Sequence, residues 1–231
     1  MALYKPADIL VHKVSSVKCR VSDVETLVDW IIKKYPETKN VGDEPQTRPG
    51  IIHRLDKNTS GVILVARNQR YFEYLKNLFQ THQIKKTYLA LVWGKLEPKT
   101  GVINKPISLK SGSIKRTVWR GRLEKEAITE YRVVKFIKLK VNKVNKDKEQ
   151  IFSLVEVMPK TGRTHQIRVH LSSIGHSIVG DSLYGPKENP FGLKRQFLHA
   201  KSLEFSTAEG RRIKIEAELS DDLKDIISKL S

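Results

Sequence analysis

The sequence predicts an α+β fold with a mixed, mostly antiparallel central sheet flanked by helices and loops. Short apolar, β-branched runs typical of strands are interspersed with amphipathic helical segments, and the two do not alternate in the strict rhythm of a parallel sheet. The chain shows no internal repeat and no long Gly/Ser/Pro linker. Its 231 residues suffice for one hydrophobic core, so we predict a single domain over residues 1–231.

The N-terminal part of the chain predicts two strands and two helices. Residues 9–14 form a short apolar run typical of a strand. Ser22 and Glu25 have the spacing of a capping box, and the apolar residues that follow recur at helical spacing until the next proline. Residues 61–66 indicate a buried strand, after which Asn68 can cap a second helix. The inward face of this second helix is predicted to carry Phe72, Leu75 and Phe79.

Three further strands are predicted in the rest of the chain, at residues 86–93, 129–137 and 151–157. Residues 109–125 are rich in Gly, Ser and Arg, which is typical of an exposed loop. Residues 164–173 are ambiguous, because their apolar positions fit the spacing of a helix and also that of a strand.

The charge of the chain is strongly positive and unevenly distributed. The sequence has 43 Lys and Arg against 25 Asp and Glu, a net charge of +18, which creates a field that attracts polyanions. Residues 105–148 hold fourteen of the cations against four acids, and Trp119 lies among them. Cations for phosphates and an aromatic side chain for bases are typical of a nucleic-acid contact. The alternative is a solvated, lysine-rich surface, and charge alone does not distinguish RNA from DNA.

Composition excludes several other classes of protein. Cys19 is the only cysteine, which excludes an internal disulfide framework and a zinc site built from cysteines. The longest apolar run, residues 88–93, is too short to span a membrane, and the N-terminus lacks the pattern of a secretion signal. We therefore expect a basic cytoplasmic protein without a membrane partner.

A first polar cluster lies at residues 53–61, directly before a predicted buried strand. A polar loop that opens onto a core strand can hold a reactive side chain in a defined position. Asp56 stands between Arg54 and Lys57, whose charges stabilise the ionised carboxylate that a nucleophile requires. The alternative is a plain turn, in which Asp, Asn, Thr and Ser side chains bond local amides.

A second polar cluster lies at residues 162–171, which combine two arginines, two histidines and a glutamine. On a helix, Arg168 lies one turn after the Thr-His pair and can direct its planar fork at a carboxylate. The alternative is an amphipathic element with a solvated basic face. A zinc site is disfavoured, because the spacing does not match the zinc-binding helical pair and no acidic ligand follows. The histidines concerned are His165, His170 and His176.

These segments together resemble the RluA-type RNA pseudouridine synthases. Residues 53–61 are similar to the family signature HRLDxxTSG, and residues 86–94 to its strand K-x-Y-x-A-x-V-x-G. Residues 162–171 resemble its block GRTHQIRVHL, and residues 175–185 its block GHPIxGDxxYG. Because several independent motifs follow the family's order over nearly the whole chain, the resemblance is specific.

The resemblance implies an isomerase that breaks the N1–C1′ glycosidic bond of a uridine in RNA and joins C5 to C1′, in a cleft across the sheet. This reaction is redox-neutral, so it implies neither a cofactor nor a metal. The family's catalytic aspartate corresponds to Asp56, its active-site tyrosine to Tyr88, and the arginine that pairs with the catalytic carboxylate to Arg168. Arg54 corresponds to the arginine that takes the place of the flipped uridine in the RNA.

The resemblance also implies RNA as the partner. Residues 106–131 fall where relatives carry a loop that grips an RNA stem, and the second motif adds further basic residues. The candidates for RNA contact are Lys115, Arg116, Arg120, Arg122, Arg163 and His165. We expect a monomer that acts on ribosomal RNA. The alternatives are an enzyme directed at tRNA and a non-catalytic RNA-binding protein on the same fold.

Two departures from the family pattern are expected. Relatives begin with an acidic strand before a turn similar to residues 3–7, so the first family strand is expected to be missing here, as is an S4-type RNA-binding domain.

The chemical alternative to an isomerase is a hydrolase that cleaves a glycosidic bond, which usually needs two carboxylates. Asp181 is the next candidate after Asp56, but Gly180 before it is typical of a turn, so an isomerase is favoured.

Overall fold

Two compact units make up the part of the chain that the computed structural model describes. It describes residues 1–13, 25–110, 115–119, 121–143 and 146–229. The first unit consists of Met1–Lys85 and Ser202–Glu218, and the second of Lys86–Lys201 and Leu219–Ser231. Strands within each unit pair antiparallel, and helices accompany them. The predicted α+β class with a mostly antiparallel sheet is therefore confirmed.

The strands of the first unit bring the N-terminus beside the first polar cluster. They are β1 (Ala2–Lys5), β2 (Ser60–Leu64), the end of β10 (Leu198–Ser206) and β11 (Arg212–Glu216). β1 lies antiparallel to β2, with Lys5 opposite Gly61, and β10 lies antiparallel to β11. All five residues of β2 are buried, so the strand predicted at residues 61–66 is confirmed.

The first unit also contains three helical segments. They are α1 (Leu27–Lys34), a 3-10 helix (Pro36–Asn40) and α2 (Gln69–Gln80). The side chain of Asn68 accepts a hydrogen bond from the amide of Tyr71 at 2.9 Å, which confirms the predicted cap of α2. Leu75 and Leu78 pack in one cluster with β2 and β10, whereas the predicted core residue Phe79 is only partly buried.

One prediction for the N-terminal segment is wrong, and a second lies outside the described residues. Residues 9–13 form no strand, because the carbonyls of Leu10 and Val11 instead accept hydrogen bonds from the first amides of α1. The strand lies earlier, at Ala2–Lys5. The capping box of α1 is made by Thr26 and Asp29, and the predicted cap Ser22 lies outside the described residues.

The second unit contains a run of four neighbouring antiparallel strands. Its order is β3 (Lys85–Trp93), β9 (Lys146–Pro159), β8 (Ile128–Lys143) and β4 (Thr100–Asn104). The three strands predicted at residues 86–93, 129–137 and 151–157 are thereby confirmed, although β8 and β9 extend much further as one hairpin. Helices α3 (Gln166–Ser173) and α4 (Asp221–Lys229) contribute Leu171 and Leu223 to the core of this unit.

Helix α3 resolves the ambiguity in the second polar cluster. Its residues from Gln166 to Leu171 are all buried, so neither periodicity marks a solvent face. An element that is buried on every side carries no amphipathic signal, which is why helix and strand spacing fit equally well.

The stretch predicted as an exposed loop at residues 109–125 contains a small sheet instead. Its strands are β5 (Ile107–Leu109), β6 (Arg116–Thr117) and β7 (Arg122–Lys125), in the order β6-β5-β7. The sequence does not predict these strands, because they are short and only β5 is largely buried, so they lack an apolar pattern. The abundance of Gly, Ser and Arg favours a loop instead. We call β5, β6 and β7 the basic sheet.

Candidate functional site

Asp56 lies in a turn that leads directly into β2. The amide of Thr59 donates to the carbonyl of Asp56 at 3.0 Å, and Leu55 before it is buried. Thr59 and Ser60 are buried as well, so the turn is fixed at both ends while Arg54 is exposed. The motif is therefore a turn, and a turn that is fixed in this way can also hold a reactive side chain, so the two interpretations are compatible.

Lys5 fixes this turn from β1. Its side chain is fully buried, and its ammonium group donates to the carbonyls of Pro6 at 2.7 Å, Ile9 at 2.8 Å and Lys57 at 2.9 Å. A buried ammonium has three protons to satisfy, and three carbonyls match that number. The bond to Lys57 anchors the residue next to Asp56. The only signal for this role in the sequence was the similarity of residues 3–7 to a family turn.

His53 anchors the beginning of the same motif. Its Nε2 accepts a hydrogen bond from the amide of Leu64 at 2.9 Å, which requires the lone pair to be on Nε2 and the ring to be neutral. The ring stacks on Phe79 with centroids 4.6 Å apart. His53 therefore joins the segment to β2 and α2.

Tyr88 lies on β3 of the second unit, where it is half-buried and opposite Val157 of β9. Two residues earlier, the buried Lys86 donates to the carbonyls of Lys160 at 3.3 Å and Thr161 at 3.2 Å. Burial, with smaller contributions from the charges of Arg163 and Lys160, lowers the pKa of Lys86 to about 8. Lys86 thus holds the segment that leads from β9 to α3.

Arg168 forms a buried, bidentate ion pair with Asp181. Its Nε donates to Oδ2 at 2.7 Å and its Nη2 to Oδ1 at 2.8 Å, and the two side chains are 6% and 0% exposed. Asp181 also accepts from the amides of Leu183 and Tyr184, at 2.9 and 3.1 Å. The predicted turn at Asp181 is present, but the sequence did not reveal that its carboxylate fixes the plane of Arg168.

Gly180 is required for this turn. It has φ +74°, and a Cβ at this position would collide with the carbonyl of Arg195. Any larger residue there is therefore expected to distort the turn that carries Asp181.

Tyr184 lies against the same ion pair. The guanidinium carbon of Arg168 is 5.2 Å from the centre of the Tyr184 ring. The Tyr184 hydroxyl accepts from the amide of Arg116 at 2.8 Å and forms a hydrogen bond with Nδ1 of His165 at 2.9 Å. Lys115 donates to the carbonyl of Leu183 at 2.9 Å. The structure thus brings Lys115, Arg116, His165 and Arg168 together around Tyr184, a residue that the sequence reasoning missed.

The other predicted RNA-contact residues are more dispersed. Arg122 is exposed on β7, and Arg163 is exposed with its Nε bonded to the carbonyl of Glu126 at 2.9 Å. Arg120 lies outside the described residues. Of all the predicted site residues, Arg54 and Asp56 belong to the first unit, and the rest belong to the second.

The three histidines that are close in sequence, His165, His170 and His176, each have a hydrogen-bond partner. His165 bonds Tyr184, His170 bonds Thr129 and the carbonyl of Lys105, and His176 bonds the carbonyl of Trp93. Burial holds the pKa of His170 below its ordinary value. Within the described ranges, no group of three or more His, Cys, Asp or Glu residues is placed to hold a metal ion.

Among the helices that the structure describes, none is long and apolar enough to cross a membrane.

Comparison with known proteins defines the family. The family model described as RNA pseudouridylate synthase matches residues 1–173, so this chain belongs to that family. Of the solved structures, human RNA Pseudouridylate Synthase Domain Containing 4 is similar with a TM-score of 0.68 at 23% identity, over 99% of this chain and 88% of that one. The similarity confirms the predicted fold.

Two curated relatives extend the comparison. An uncharacterized RNA pseudouridine synthase of Chloroflexus aurantiacus is 38% identical over 98% of this chain, which spans 65% of the relative's length. A protein of Zymomonas mobilis named ribosomal large subunit pseudouridine synthase D is 32% identical over 100% of this chain and 69% of its own length.

Proposed function

We propose that this protein isomerises specific uridines in structured RNA to pseudouridine, with Asp56 as the catalytic carboxylate. The observation that carries the proposal is the setting of Asp56 within the family's signature. Its turn is closed by the Thr59 amide, bonded by Lys5 at the next residue, and continuous with the fully buried β2. Such support holds a reactive group in one position, as catalysis requires.

Tyr88 and Arg168 are proposed to complete the chemistry in the second unit. Tyr88 lies half-buried on a core strand, which suits a ring placed against the target base. Arg168 supplies the arginine that the family pairs with its catalytic carboxylate. Since Asp181 occupies Nε and Nη2, the plane of this guanidinium is set before any substrate binds. The redox-neutral reaction requires no cofactor.

RNA affinity is proposed to come from the basic residues. Phosphate contacts by Lys115, Arg116, Arg120, Arg122, Arg163 and His165 would hold the RNA, and Arg54 would fill the place of the flipped uridine. Removing a base from its stack costs a few kcal/mol, which these contacts must offset. Trp119 is exposed in the turn before β7 and is available for stacking on a base.

Ribosomal RNA is the proposed substrate class. The name of the Zymomonas mobilis relative, ribosomal large subunit pseudouridine synthase D, supports this choice. The cytoplasm is the proposed location of the reaction. No observation favours a tRNA substrate or a non-catalytic role.

The test is tritium release from transcripts labelled at uridine C5, with large-subunit ribosomal RNA and tRNA assayed in parallel. Wild-type protein is expected to release tritium from ribosomal RNA, and Asp56→Asn is expected to lose turnover while it still binds the transcript. The matched control is Asp43→Asn, which neutralises an exposed carboxylate on the same unit that is paired with Lys76. This control should retain full turnover.

Turnover by Asp56→Asn at the wild-type rate would exclude Asp56 as the catalytic group. Release from tRNA alone would assign the enzyme to the alternative substrate.

A further inference from the structure

Tyr184 lies where the Arg168 ion pair meets the basic sheet, and its two ends contact different partners. Its ring faces the guanidinium of Arg168, whereas its hydroxyl bonds Arg116 and His165. We infer that Tyr184 is a positioning residue that sets the register between the RNA held by the basic sheet and the guanidinium of Arg168. This inference rests on the proposed function and adds a residue to it.

The ring of Tyr184 restrains Arg168 in the direction that Asp181 leaves open. The carboxylate binds one edge of the guanidinium in its plane, through Nε and Nη2. The aromatic ring lies 5.2 Å from the guanidinium carbon. An edge contact and an aromatic contact together hold a planar group more strongly than either does alone.

The hydroxyl of Tyr184 connects the basic sheet to α3. Arg116 is the first residue of β6 and lies opposite Leu109 of β5. A hydrogen bond to its amide therefore connects Tyr184 to the basic sheet. His165 has φ +57° at the residue before α3, the helix that carries Arg168. One hydroxyl therefore contacts both the start of the sheet and the start of the helix.

The backbone around Tyr184 is fixed to both elements as well. Its carbonyl accepts from Ser172 Oγ of α3 at 3.0 Å, and the carbonyl of Leu183 accepts from Lys115 at 2.9 Å. Because Tyr184 cannot shift without breaking these bonds, the distance between sheet and Arg168 is determined at this residue. RNA bound by the sheet is thereby presented to Arg168 in one register.

Two substitutions of Tyr184 separate the effects of its ring and its hydroxyl. Tyr184→Phe keeps the ring and removes the hydroxyl. We therefore expect the Kd and KM for a ribosomal RNA transcript to rise about tenfold, while kcat changes less than twofold. Tyr184→Leu removes both, so kcat should fall at least tenfold in addition. A residue with only a structural role would lower Tm in both variants without this division between KM and kcat.

The matched control is Tyr71→Phe, which removes a tyrosine hydroxyl bonded to Glu209 at 2.6 Å in the first unit and should change neither parameter. An unchanged Kd in Tyr184→Phe overturns the inference, and so does an equal loss of kcat in the Phe and Leu variants. Should Tyr184→Leu fail to fold, the Phe variant still decides. If wild-type protein binds RNA but releases no tritium, the proposed function fails, and an unchanged Kd in Tyr184→Phe would then overturn the inference separately.

Discussion

Two arginine-aspartate pairs of the second unit have nearly the same geometry and different surroundings. Arg168 binds Asp181 through Nε and Nη2 at 2.7 and 2.8 Å, and Arg195 binds Asp222 through the same atoms at 2.7 and 2.9 Å. The guanidinium groups are 6% and 7% exposed, but the carboxylates are 0% and 44% exposed. The pairing alone therefore does not identify a functional arginine.

The surroundings explain what each pair does. Arg195 also donates to Ser220, and Asp222 lies in the first turn of α4, so this pair attaches a helix end to the unit. Burial alone would raise the pKa of Asp222, but hydrogen bonds from Arg195 and Ser220 outweigh it and hold the pKa below its usual value. Arg168 is instead enclosed by a fully buried carboxylate and an aromatic ring that is bonded to the basic sheet.

The largest expected difference between the two pairs is their response to loss of the carboxylate charge. Asp181→Asn removes the charge of a fully buried carboxylate that binds the buried guanidinium of Arg168 through two hydrogen bonds, which costs about 3–5 kcal/mol of unfolding free energy. Turnover should be lost with it, because the plane of Arg168 is released. Urea unfolding and tritium release measure the two effects.

Asp222→Asn is the matched control for this prediction. Asp222 is 44% exposed, so water already solvates much of its charge, and Ser220 Oγ still accepts from the guanidinium of Arg195 in the variant. The variant should therefore lose about 1 kcal/mol or less and keep its turnover. Equal losses of stability in the two variants would show that burial of the carboxylate does not distinguish the two pairs.

Lys86 is another buried cation of the second unit, and it differs from Arg168 and Arg195 because it bonds carbonyls and not a carboxylate. Its pKa of about 8 lies below the ordinary 10.5, so the unfolded chain binds more protons between these two pH values. Stability should therefore rise with pH through this window, with a slope that approaches ~1.4 kcal/mol per pH unit, whereas the full penalty of burying the charge applies below pH 8.

Lys86→Met should remove this rise, as measured by urea unfolding from pH 7.5 to 10.5. Lys85→Met, which neutralises the exposed neighbour on the same strand, should retain it. A slope that persists in Lys86→Met would assign it to another group.

The smallest expected effect concerns the link from the Arg168 pair to RNA. Neutralising Lys115 and Arg116 to Met should weaken RNA binding and reduce the slope of log K against log salt by about 1.8, the value for two phosphate contacts on a duplex stem. Because Lys115 also donates to the carbonyl of Leu183, urea unfolding should show a loss of about 1 kcal/mol, the value of one hydrogen bond. Fluorescence anisotropy with a labelled transcript at several salt concentrations provides the measurement.

Lys33→Met with Lys34→Met removes the same charge from α1 of the first unit and serves as the control. If both double variants reduce the slope equally, net charge and not the basic sheet determines affinity.

The sequence by itself determined the features that depend on neighbouring residues. The Asn68 cap of α2, the buried strand β2 and the core strand β3 follow from hydrogen bonds and apolar spacing within a few positions, and all are present. The order of the motifs likewise identified the family. The role of Asp56 stays a prediction until turnover is measured.

Only the tertiary structure decided which groups satisfy the buried charges. Asp181 is 13 positions from Arg168, and the Lys57 carbonyl is 52 positions from Lys5. The basic sheet and the contacts of Tyr184 were also absent from any local pattern. A buried cation must find counter-charge or carbonyls wherever the fold places them, so its partner depends on how distant segments pack and not on the residues beside it.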